Sequence, residues 1–239
     1  MSEKIEKWIL DHAQALVFGF LGIVALGVVY AGYELWDQSR EKRAQEAFYL
    51  LETELEKKQQ ALFEAESKKD EKNKASSPER SPELLKKDFS SEIEKLKTFI
   101  QDNSTTKAAA FAAIGLADLH LEYKAFDEAI AILNERFSQL SKNELFYGLL
   151  GNQLALAYSN SGKCKDAVEI YNQILAADAQ KHIHSQALLR KGACLITLNE
   201  MDQAQAAFRQ AKTDFPDSIS AKTAENLERL VLIKKGAVK

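Results

Sequence analysis

The chain has 239 residues, with 32 Lys and Arg against 35 Asp and Glu, and the two signs are interleaved to a net charge of −3. No basic stripe argues for nucleic acid, and no acidic tail for a solvating segment. Two cysteines make no disulfide framework, while abundant Ala, Leu, Glu, Lys and Gln with three prolines predict an all-α chain.

Residues 1–11 are a short polar start, and a transmembrane helix is expected over 12–36. His12–Tyr33 holds no Asp, Glu, Lys or Arg, and as a helix it would span about 33 Å against a hydrocarbon core of about 30 Å. Trp8 and Trp36 bracket it, where amphipathic rings anchor at the headgroups. A cleaved secretory signal would use Lys4, Lys7 and Val29-Tyr30-Ala31. Glu3, Glu6 and Asp11 disfavour that start, and the apolar run exceeds the usual length of about 7–15 residues. A permanent anchor is therefore expected. Small residues four apart, Ala15 with Gly19 and Gly27 with Ala31, have the spacing that lets another helix approach, although glycine is common in membrane helices generally. Lys4 and Lys7 on one side and Arg40, Lys42 and Arg43 on the other do not orient the span.

A juxtamembrane helix is expected over 37–67, with Ala44, Ala47, Phe48, Leu51, Leu55, Leu62 and Phe63 on helical spacing. Residues 68–82 read as a charged flexible loop, since Ser77-Pro78 and Ser81-Pro82 disfavour helix at each serine. Helix resumes with Leu84–Ile100, where Phe89, Ile93, Leu96 and Ile100 keep a three/four spacing.

From Thr105 the chain repeats itself. Ala129, Ala167 and Ala204 are spaced 38 and 37 residues apart, which predicts stacked supersecondary units. Each unit reads as two helices. The first carries a small residue (Ala117, Ala155, Gly192) where its partner must come close. The breaks fall at Lys124–Asp127, Asn160–Lys163 and Asn199–Asp202. Four residues after its alanine the second helix carries Leu133, Tyr171 or Phe208. Residues 217–239 read as a capping helix and tail, with Ala221, Ala224, Leu227, Leu230 and Val231.

This spacing resembles the tetratricopeptide repeat, W-x2-L-G-x2-Y, then A-x3-F, then P. The third unit keeps Ala204, Phe208, Ala211 and Pro216 but has Lys191 at the motif's leucine. The second keeps Leu154, Ala155, Tyr158, Ala167 and Tyr171, and the first keeps Leu116, Ala117 and Ala129. None has the tryptophan. The expected fold is thus an N-terminal transmembrane helix followed, over 83–216, by a tetratricopeptide-like α-solenoid of three to four helical pairs with a C-terminal cap.

The whole pattern, from Trp8 through Arg40–Leu55, Ile93-Glu94-Lys95, Ala108–Leu119 and the repeats, resembles the ancillary Sec translocon subunit family (YfgM type). The charged stretch at about Lys68–Lys87 departs from it. The resemblance implies a single-pass protein of the bacterial inner membrane, with a cytoplasmic N-terminus and a periplasmic C-terminal domain. It also implies association with Sec translocon components and periplasmic chaperones to assist exported proteins. A tetratricopeptide scaffold of another cell-envelope or division complex would use the same parts.

No phosphate loop, dinucleotide fingerprint, zinc helix or nucleophile elbow occurs. His182 and His184, two apart on a helix, face different directions and read as surface histidines rather than metal ligands. His120 has no evident partner for acid–base work. No enzyme activity, cofactor or small-molecule substrate is expected. Function should lie in a surface, since first helices of such stacks line a concave groove. By position its residues are Ile114, Asp118, Leu121, Glu122, Asn152, Leu156, Asn160, Gln186, Leu189 and Thr197, a mix suited to a peptide or helix with apolar anchors. Cys164 and Cys194 fall on different helices of adjacent units, as two thiols or one bridge.

Overall fold

The computed structural model describes residues 13–73 and 79–236. Nine α-helices and one short 3-10 turn account for its regular structure, with no strand among the described residues. In chain order the helices are α1 (Ala13–Asn73), α2 (Pro82–Asp102), α3 (Lys107–Glu122), α4 (Phe126–Ser138), α5 (Leu145–Asn160), α6 (Cys164–Leu175), α7 (Lys181–Thr197), α8 (Met201–Asp214) and α9 (Ile219–Lys234). The chain divides into two units, Met1–Ala47 and Phe48–Lys239.

In the first unit α1 presents apolar side chains to solvent on every face: Leu21, Ile23, Val24, Leu26, Val28 and Val29 are all exposed, Ile23 and Leu26 to 71%. Tyr33 and Trp36 lie together with ring centroids 6.2 Å apart, and the Arg40 guanidinium sits 4.8 Å over the Trp36 ring. Arg40 also pairs with Asp37 at 2.6 Å. Gly27 would meet nothing within 4 Å if it carried a Cβ, and Ala31 is exposed. Residues 1–12, Trp8 included, lie outside the described residues, and of Gly19 only the helical backbone is described. Among the described residues no helix is long and apolar enough to cross a membrane. Of the span expected over 12–36, His12 falls outside them, and of residues 13–17, 19 and 20 only the helical backbone is described.

In the second unit α1 runs to Asn73, six residues into the segment expected as loop from 68. Neither proline nor glycine occurs between Glu64 and Ala75, so nothing in Lys68–Asn73 stops helix propagation. Residues 74–78 lie outside the described residues. α2 starts where Ser81 caps it, its hydroxyl accepting from the Leu84 N–H at 3.4 Å, with Pro82 at the first helical position. Phe48 of α1 stacks on Phe99 of α2 at 5.9 Å, and Lys58 and Lys95 pair across them with Glu92 and Glu54, each at 2.7 Å.

Three hairpins follow, α3–α4, α5–α6 and α7–α8, joined by one recurring turn. Lys124, Gly162 and Asn199 each take a positive φ, at 60°, 78° and 62°. After each, the next residue's N–H reaches back five residues: Ala125 to His120, Lys163 to Tyr158 and Glu200 to Leu195, all at 2.8 Å. This is a Schellman closure, which satisfies carbonyls the helix end leaves open. The left-handed residues stand 38 and 37 apart, the same period as the alanines.

The alanine and large-residue positions meet as their spacing required. Ala117, Ala129, Ala155, Ala167 and Ala204 are fully buried, and Leu133, Tyr171 and Phe208 with them. At the third hairpin the small residue admits the ring: a Cβ on Gly192 would stand 2.3 Å from the Phe208 ring, so one of them would have to shift. One core cluster runs from α3 to α7, and a second joins α7, α8 and α9. α9 closes the stack with Ala221, Ala224 and Val231, while Leu230, expected in the cap, is 52% exposed together with Ile219 and Ile233. In the α-solenoid so formed, α3, α5, α7 and α9 touch in succession. The backbones of the second helices α4, α6 and α8 do not approach one another as closely. Closer approach on one side makes the first helices the concave side.

Candidate functional site

The solvent-facing stripes of α3, α5 and α7 lie side by side on that concave side. Along α3 they are Phe111, Ile114, Asp118 and Leu121; along α5, Leu145, Leu149, Gln153 and Leu156; along α7, Gln186, Leu189 and Thr197. Residues three and four apart share a helix face, which is why each stripe is continuous. Two contacts sew α3 to α5 here. Phe111 meets Phe146 edge to face, with centroids 4.9 Å apart and planes at 84°. The Gln153 amide donates to Asp118 at 3.0 and 3.3 Å. Although its outer edge is exposed, the packing around the Asp118 carboxyl removes water from it and raises its pKa, and the Gln153 bond partly opposes this.

The expected groove residues fall into three groups. Asp118, Asn160 and Thr197 are exposed, the last bonding only its own helix at Ala193. Ile114, Leu121, Leu156, Gln186 and Leu189 are half-buried; Ile114 and Leu121 pack against the central core and Leu189 against the terminal one. Asn152 is buried at 9% exposure. Glu122 points elsewhere: it pairs with Arg80, and both line a hollow with Gln59, Phe63 and Phe89 of α1 and α2.

Sequence reasoning missed the largest apolar elements of this face. Phe111 is 48% exposed, Leu145 68% and Leu149 39%. Phe111 and Leu149 each sit three residues from a position already assigned to the face (Ile114 and Asn152), so extending the stripe by one turn would have found them, whereas Leu145 lies two turns away. A cavity of about 250 Å3 between α2 and α4, floored by Leu116 and walled by Lys97, Ile132 and Arg136, lies away from the stripes.

The histidines differ from expectation. His182 is exposed, but His184 is buried, with Nε2 within hydrogen-bond distance of the Ile174 and Ala177 carbonyls at 3.1 and 3.2 Å. It ties α7 to the end of α6 because two backbone oxygens there need a donor. His120 is buried at 5% with both ring nitrogens unpartnered. Among the described residues no three His, Cys, Asp or Glu side chains converge as for a metal ion.

A family model described as a tetratricopeptide repeat-like domain matches residues 6–234. No curated protein matches the chain. Among solved structures, putative kinesin light chain TPR-like repeats of Podosopora anserina are 16% identical over 64% of this chain and 81% of that one, with a TM-score of 0.51. A second structure of those repeats gives 16%, 64%, 82% and 0.50. The first TPR of Spaghetti (RPAP3), bound to HSP90 peptide SRMEEVD, is 18% identical over 53% of this chain and 93% of that one, at 0.44. Identities this low speak to the fold alone.

Proposed function

We propose, on the premise that this chain belongs to the tetratricopeptide repeat-like domain family, that it is a non-catalytic protein-binding module tethered to a membrane. The observation that carries the reading is the concave face itself, where Phe111, Leu145 and Leu149 stand open to solvent among Asn160, Gln153 and Gln186. Apolar anchors supply binding energy, and interspersed amides satisfy a bound backbone. The exposed apolar girth of α1 from Leu21 to Trp36 supports the tether, because a helix greasy on all sides needs lipid or protein around it. Confinement to a membrane raises the effective concentration of the face near other membrane partners.

In the finer reading, α1 crosses the bacterial inner membrane with the N-terminus cytoplasmic and the repeats in the periplasm. There they bind proteins leaving the Sec translocon, together with periplasmic chaperones. A photo-crosslinking residue at Leu149 or Gln186 should capture exported proteins or chaperones in intact cells, and one at Val29 should capture translocon components. Recovery of division or envelope-assembly proteins with no translocon component would assign the chain to the alternative scaffold. Equal capture from Ala131 on the opposite side would overturn the groove. A reporter fused after Lys239 should be active only outside the cytoplasm.

A further inference from the structure

We propose that the cavity between α2 and α4 receives a small carboxylate carrying a short apolar tail, with the Arg136 guanidinium holding the anion. The proposal does not rest on peptide binding at the concave face, since the cavity lies apart from the stripes. Leu116 lines it from below, fully buried, and Ile100 and Ile132 line it half-buried. Two cations, Lys97 and Arg136, face the same hollow against one acid, Glu135. The volume of about 250 Å3 is that of roughly eight water molecules, room for a charged head and a few carbons.

Arg136 is the group whose needs the fold leaves unmet. Nη1 donates to the Gln139 Oε1 at 3.1 Å and Nη2 to the Thr106 carbonyl at 3.4 Å, while Nε is buried without a partner. A guanidinium carries five N–H donors, so these contacts satisfy fewer than half. Glu144, the acid whose charge reaches it, accepts from the Ser141 N–H at 2.6 Å instead. Burial lowers the Arg136 pKa, and Glu144 only partly opposes it. The last turn of α4 accounts for a cation at the helix's negative end, but not for a hollow beside a half-buried guanidinium. Water can fill that hollow yet supplies no negative charge. A carboxylate would take the remaining Nη hydrogens through both oxygens, the geometry the planar fork suits. Its tail would then lie against Leu116 and Ile132. Lys97, held only at 3.6 Å from Glu94 and half exposed, adds a second positive charge at the rim.

The test uses the full-length chain in detergent with trifluorobutanoate as probe, followed by fluorine NMR against a protein-free micelle blank. The probe should bind saturably with a Kd of about 1 mM, in keeping with so small a ligand. Its amide, alike in shape but uncharged, should bind at least about tenfold more weakly, the weight of a charged hydrogen bond. Arg136→Gln should weaken the probe by the same factor. Ile132→Phe, which fills the hollow and leaves every charge in place, should remove binding, and circular-dichroism melts check that each variant is folded. Competition separates the two sources of such a group. Displacement by hexanoate alone assigns the cavity to free carboxylates, and displacement by acetyl-Gly-Leu as well extends it to polypeptide C-termini. A probe that fails to saturate, an amide that binds as tightly as the acid, displacement by neither competitor, or a folded variant of either kind that keeps full affinity would each overturn the proposal.

Discussion

The contact between Gly192 and Phe208 allows the stacking logic to be tested as a thermodynamic cycle. Gly192→Ala adds one methyl group on α7, 2.3 to 2.8 Å from three atoms of a fully buried ring. Overpacking of this kind costs about 1–3 kcal/mol, while replacing a mid-helix glycine by alanine returns about 1 kcal/mol. The net change is a loss of up to about 2 kcal/mol. Phe208→Ala alone should cost about 3–5 kcal/mol, because the ring sits in the cluster of Leu188, Leu195, Ala211 and Val231. With the ring gone, the clash vanishes and only the helix gain remains, so Gly192→Ala should then stabilise by about 1 kcal/mol. The sign of one substitution reverses with the background, a coupling of about 1–3 kcal/mol. Denaturant unfolding of the four proteins, followed by far-ultraviolet circular dichroism, measures it. Effects that add within about 0.5 kcal/mol would show that the small residue is not there to admit the ring.

Two further outcomes follow from buried polar groups. Gln180, 1% exposed, accepts from the Gly148 N–H at 3.3 Å and donates to the Lys142 and Glu144 carbonyls at 3.1 and 2.9 Å. Gln180→Leu should destabilise by about 1–3 kcal/mol or more, and an unchanged denaturation midpoint would refute that role. Burial, aided by Lys97 and Lys86 on α2 and opposed by Glu128 on α4, lowers the His120 pKa. The unfolded chain therefore takes up the proton first: this contribution is complete above the ordinary histidine pKa and declines as pH falls through about 6.5 towards the lower folded value. Between pH 7.5 and 5.5 the wild type should lose more stability than His120→Leu, and parallel curves would refute the assignment.

The repeats were legible because small and large apolar residues return at fixed intervals, and Ala129, Ala167 and Ala204 are all fully buried. The turns were legible as breaks but not as one conformation. Lys124, Gly162 and Asn199 share a left-handed backbone, and lysine carries no local signal for it. The end of α1 was placed too early because charge was read as loop, although Lys and Glu propagate helix where no proline intervenes. Seven of the eleven residues on the three stripes were legible from register. Phe111 and Leu149 were not, because a large apolar residue in a helical pattern reads as core until tertiary contacts show its side open. His184 was opaque for a related reason: the carbonyls that hold it belong to Ile174 at the end of the preceding helix and Ala177 in the link after it.

The unequal spacing of first and second helices has a mechanical meaning. With α3, α5, α7 and α9 in contact and α4, α6 and α8 further apart, the inner seam acts as the spine of a book and the outer helices as its pages. Small rotations at each junction add along the spine, so the curvature of the whole hollow is set by how each first helix meets the next, while every hairpin keeps its own interior.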